Sequence, residues 1–162
     1  MNRLTTLLLI ALTVSAPLSA CGGDSADTTT GSSALGNTEF CALAEQVVTT
    51  QTQIDTQLDG TGLPAELEAT FTAYLTLLDH LGAAAPTALQ ADVATARTGF
   101  EAFDAALRDI DYDIARAAAD PALGEAMAAQ LQVMRSTEVT TAMSNVDAYA
   151  VETCGFSLQS DS

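Results

Sequence analysis

Four carboxylates fall at the first, third, fifth and twelfth places of "DIDYDIARAAAD", Asp109 to Asp120. A twelve-residue calcium-binding loop supplies oxygen ligands from such places, which makes Asp109, Asp111, Asp113 and Asp120 the candidate ligands for a hard cation. The rest of the stretch departs from that pattern. Ile114 stands where a glycine makes the sharp turn, Arg116 where an apolar residue is usual, and Asp120 where a longer, bidentate Glu closes the loop. A competing reading gives these residues a structural task. Asp111 and Asp113 would open a helical segment after a turn, and Asp120 would cap the helix that starts at Pro121. Tyr112 and Ile114 would then close the end of a bundle.

The remaining polar residues offer little for catalysis. His80 is the only histidine and follows Asp79 near the end of an apolar-periodic run, a place where it complements a helix dipole more readily than it serves as base or ligand. The pairs Glu66 with Glu68 and Asp55 with Asp59 could supply acid and base, but 21 acidic residues generate such pairs by chance. GxSxG, HExxH and the glycine-rich phosphate loop are all absent from the sequence. We expect no catalytic residues, no cofactor and no enzyme activity.

Cysteine chemistry is more informative. Met1 to Arg3 carries one positive charge, and Leu4 to Leu18 is a mainly apolar segment too short to span a bilayer comfortably, so the start reads as an export signal. Leu18 is too large for the third position before an ordinary signal-peptidase cut. Leu18, Ser19, Ala20 and Cys21 instead resemble the bacterial lipobox at all four positions. The resemblance implies diacylglyceryl transfer to the Cys21 thiol and cleavage before it. Spending Cys21 on lipid leaves an even pair of the three cysteines, Cys41 and Cys154. A disulfide between them would close a loop of roughly 110 residues and stabilise the fold by about 4 to 5 kcal/mol. Two buried free thiols are the alternative. There is no CxxC pair, which argues against thiol redox catalysis.

Charge narrows the partners. Five basic residues, all Arg, stand against 21 acidic ones for a net charge of -16, so nucleic acid is not an expected partner. Most of that acidity reads as a solvated, self-repelling surface. Gly22 to Asn37, "GGDSADTTTGSSALGN", is low in complexity and reads as an unmodified flexible tether reaching roughly 20 to 25 Å.

The elements that must position these residues are helices. Apolar residues recur at spacings of three and four, and composition rich in Ala and poor in Gly favours helix. The first stripe, capped by Thr38, is Phe40, Leu43, Val47, Ile54 and Leu58, ended by Asp59 to Gly62. Pro64 opens a second through Leu67, Phe71, Tyr74, Leu75, Leu78 and Leu81, with Gly82 as its terminal residue. A third begins near Pro86 with the stripe Leu89, Val93, Phe100, Phe103, Leu107 and Ile110. Beyond Pro121 come Leu123, Met127, Leu131 and Met134, a reset near Ser136, then Val139, Met143, Val146, Tyr149 and Ala150 up to Cys154 and Gly155. If Cys41 and Cys154 pair, an up-and-down bundle needs an even number of passes, and Asp120 to Cys154 becomes one broken fourth pass. The expected fold is all-α, a four-pass bundle with a broken last helix and its ends joined by a disulfide. The expected organisation is a signal peptide over 1–20, a lipidated cysteine and tether over 21–37, a helical domain over 38–158 and a tail over 159–162.

"FCALAEQ", "AAAPTALQADVATARTGFEAFDAAL", "DYD" and "VDAYAVETCG" together resemble a group of small exported helical proteins of actinobacteria with no established activity. The likeness runs from about Glu39 to Gly155. It implies an exported helical domain with a Cys41 to Cys154 bridge and no catalytic residues. The function expected is that of a lipid-anchored interaction module on the extracytoplasmic face of the cell membrane, with an envelope protein as partner. The alternative is a lipoprotein that binds a small molecule, in a cavity between helices, or a divalent cation.

Overall fold

The computed structural model describes residues 30–159. The expected signal peptide, Cys21, the first part of the expected tether and residues 160–162 lie outside the described residues. Six α-helices follow one another: α1 (Thr30–Thr56), α2 (Pro64–Ala84), α3 (Thr87–Asp109), α4 (Ile114–Ala119), α5 (Pro121–Met134) and α6 (Thr137–Cys154). No strand occurs among the described residues, and none of these helices is long and apolar enough to cross a membrane.

Helix boundaries follow local chemistry. Pro64 occupies the first turn of α2, where its missing N–H removes nothing. Asp113, Asp120 and Ser136 cap α4, α5 and α6, each side chain accepting a backbone N–H of the first turn. Gly155, at φ 81°, ends α6 in the left-handed region that glycine enters without a Cβ clash, and its N–H donates to the carbonyls of Ala150 and Val151. Between α1 and α2 the chain makes a π-helical turn, Gln57–Thr61. Gly62 follows it because a Cβ there would fall 2.7 Å from Gln57 Cβ.

Two expected boundaries are corrected. The first helix does not begin after a Thr38 cap: it starts at Thr30 and takes up residues 30–37 of the segment read as tether. It is held before Thr38 by a 2.9 Å hydrogen bond from the Tyr149 hydroxyl to Asn37 Oδ1. Gly82 does not end the second helix either. The helix runs on to Ala84, and the stop comes from Ala85 and Pro86, since the residue before proline is pushed out of the helical region. At Gly82 a Cβ would stand 3.4 Å from Val93 Cγ1, a contact between α2 and α3.

The core is built from the stripes read in the sequence. Phe40, Val47 and Ile54 of α1, Leu67, Phe71, Tyr74, Leu78 and Leu81 of α2, and Leu89, Val93 and Leu107 of α3 are buried, joined by Val146 and Ala150 of α6. Burial of a large apolar side chain stabilises by about 1.5 to 3 kcal/mol, so this stripe is what holds the helices together. Helix α5 contributes differently, with no fully buried residue; Leu123 and Met127 cover the core from one side. Helix α6 runs antiparallel to α3. Asn145 Nδ2 donates to Asp92 Oδ2 at 3.0 Å, and Gly99 lies so close to Val139 that a Cβ would fall 2.7 Å from its Cγ1. The helical termini are tied by the Cys41–Cys154 disulfide, with Cα atoms 5.4 Å apart, beside an edge-to-face contact of Phe40 with Tyr149.

Candidate functional site

The "DYD" turn, Asp111 to Asp113, is a structural knot. Asp111 and Tyr112 both have positive φ, 54° and 56°, a conformation that is unfavourable for residues with a Cβ. Backbone bonds from the N–H of Asp111 to Arg108 O and of Tyr112 to Leu107 O hold the reversal. Tyr112 is thereby turned inward, only 5% exposed, and its hydroxyl donates to Asp104 Oδ1. Burial first, and then this hydrogen bond to a carboxylate, push the Tyr112 phenol above its ordinary pKa.

The four carboxylates of the candidate cation set are not brought together. Asp111 pairs with Arg116 Nη1 at 2.5 Å, Asp113 accepts the Arg116 N–H, Asp120 accepts the Ala122 N–H, and Asp109 is exposed at the end of α3. Among the described residues no group of three or more His, Cys, Asp or Glu side chains is placed to hold a metal ion. The competing structural reading of Asp113, Tyr112 and Asp120 is the one these bonds realise. His80 is exposed on α2, next to Asp79, whose Oδ1 lies 2.7 Å from Arg97 Nε. Glu66, Glu68, Asp55 and Asp59 are exposed as well.

A cavity of about 180 Å³ opens inside the bundle, where α1 faces the α5–α6 junction. Phe71, Tyr74, Phe100 and Phe103 form its walls, with Asp55 and Gln51 at the α1 side. The rings pack edge to face, Phe71 against Phe103 at 5.3 Å and Tyr74 against Phe100 at 4.9 Å between centroids. A second space of about 50 Å³ shares Gln51, Tyr74, Phe100 and Met143 with the first and is bounded by Leu158. Leu158 is brought there by Asp147, which accepts its N–H at 2.7 Å and the Ser157 hydroxyl at 2.8 Å. Tyr74 is 2% exposed, and burial, with Asp55 as a smaller influence, drives its phenol pKa well upward.

Tyr74, Phe71, Phe100 and Phe103 are core positions by their spacing, and nothing in that spacing marks a cavity among them. Asp104 was missed as well, a buried acid whose one sequence signal is Arg108 four residues on, within ion-pair reach on a helix. No protein-family model, curated protein or solved structure matches this chain.

Proposed function

We propose that the chain is a lipid-anchored helical module of the bacterial cell envelope, cleaved before Cys21 and held by diacylglyceryl on that thiol at the extracytoplasmic face, where it acts by binding and not by catalysis. The observation that carries this reading is the Cys41–Cys154 disulfide. Disulfides persist in oxidising compartments, and this one leaves Cys21 as the odd cysteine directly after an apolar leader. In this reading the module is a four-pass bundle, with α5 and α6 as one broken pass; the antiparallel contacts of α6 with α3 support that arrangement. Cross-linked capture of the tagged protein from its own membranes, beside a Cys21→Ala form, tests the proposal. A stoichiometric envelope partner held by the anchored form is the expected result, and random neighbours alone would contradict it.

The aromatic cavity favours a second reading, in which the bound partner is a small molecule. The divalent-cation version draws no comparable support, because Asp111, Asp113 and Asp120 are each engaged in a turn or a cap.

A further inference from the structure

The cavity between α1 and the α5–α6 junction differs from a packing defect in three respects. Its 180 Å³ exceeds the roughly 150 Å³ in which an apolar cavity accepts benzene. It presents a polar atom that a guest can reach: Tyr74 lines the cavity, and its hydroxyl, although the residue as a whole is 2% exposed, is not among the buried side-chain oxygens that lack a partner. A phenol oxygen accepts as well as donates, so it can bond a guest that enters the cavity. Finally, Asp55 is the one charged side chain among the described residues lining the cavity, and it is a carboxylate at the accessible side.

Together these features select a ligand chemistry. Phe71, Phe100 and Phe103 offer ring surfaces that receive both hydrocarbon and the CH groups beside a positive charge. Asp55 attracts a cation and repels an anion, and a net charge of -16 works in the same direction at longer range. A neutral hydrocarbon would leave both the carboxylate and the Tyr74 oxygen unused. We propose that this cavity binds a small organic amine about the size of one benzene ring, its apolar body among Phe71, Phe100 and Phe103 and its ammonium group between the Asp55 carboxylate and the Tyr74 hydroxyl oxygen. Both oxygens accept N–H bonds from it. The assignment rests on the small-molecule reading given above and names its ligand class.

Three probes of nearly one shape test it on the full chain by titration calorimetry: benzylamine, benzyl alcohol and benzoate. The expected result is benzylamine binding about tenfold more tightly than benzyl alcohol, with no measurable binding of benzoate. Asp55→Asn, at an exposed position, should remove the preference for the amine, weakening benzylamine far more than benzyl alcohol. Tyr74→Phe, which keeps the ring, should weaken amine and alcohol alike by a few-fold, with the helical circular dichroism preserved. Equal affinity for amine and alcohol, or an amine preference that survives Asp55→Asn, overturns the amine assignment while leaving a small-molecule site. Failure of all three probes to bind overturns it together with the small-molecule reading.

Discussion

The Tyr112 hydroxyl donates a 2.7 Å hydrogen bond to Asp104 Oδ1, while Arg108 Nη2 stands 2.5 Å from Asp104 Oδ2. The carboxylate is nearly inaccessible, yet each of its oxygens has a partner, which is the condition for burying a charge. The same hydrogen bond fixes a turn with two successive left-handed residues, Asp111 and Tyr112. Such residues are unfavourable by about 1 to 2 kcal/mol each, so the turn depends on side-chain anchors.

Tyr112→Phe keeps the ring and removes the donor. Asp104 would retain Arg108 but lose its buried partner, and stability should fall by about 1 to 3 kcal/mol. Urea unfolding followed by circular dichroism measures this; an unchanged midpoint would show that Asp104 does not need the phenol.

Gly99→Ala should destabilise by overpacking. The new Cβ would fall 2.7 Å from Val139 Cγ1 and 3.3 Å from Cγ2, and relief of such contacts usually costs about 1 to 3 kcal/mol. Val139→Ala in the same chain should recover part of the loss. A double-mutant cycle reads the coupling, and strict additivity would mean that α3 and α6 are not in contact there.

Helix periodicity made most of this architecture readable, because Leu67, Phe71, Tyr74, Leu78 and Leu81 recur at threes and fours and all end up buried. The helix starts at Asp113 and Asp120 were readable for a similar reason, since their caps are short-range side-chain to backbone bonds, whereas Ser136 was legible only as a reset of the stripe and not as the cap it is. The start of α1 was not, because residues 30–37 carry no apolar stripe and Asn37 meets Tyr149 across 112 positions of sequence. The cavity was equally hidden: spacing says that Tyr74 and Phe100 face inward, but whether their rings fill the interior depends on five helices at once. Cys41 and Cys154 were readable as a pair through parity, with their alternative as free thiols resolved by the bridge itself.

Removing that bridge should weaken the fold strongly. It links positions 113 residues apart, and the loop-entropy account assigns about 4 to 5 kcal/mol to a closure of this length. Replacing both cysteines by Ala should lower the denaturant midpoint accordingly, without changing the helical spectrum at low denaturant. A shift under about 1 kcal/mol would place the disulfide's role outside stability.

Alkaline pH should destabilise the protein through its buried phenols. Tyr74 and Tyr112 have folded-state pKa values raised above the ordinary tyrosine value, so they hold their protons more tightly folded than unfolded. Their contribution is complete below about pH 10, where the unfolded chain also keeps these protons, and is lost as pH rises from there through the folded values. Urea midpoints across that range should decline, and tyrosinate absorbance should report protected phenols until unfolding. Tyr74→Phe should flatten the decline, and a slope identical to that of the parent protein would exclude Tyr74 as its source.

The intact mass of the protein purified from its own membranes, alkylated without reduction, tests the lipid-anchored module most directly. The expected species is a chain beginning at Cys21, heavier by a diacylglyceryl group or more, with no alkylated thiol because Cys41 and Cys154 are bonded to each other. An unlipidated, alkylated Cys21, or a chain that retains residues 1–20, would contradict it.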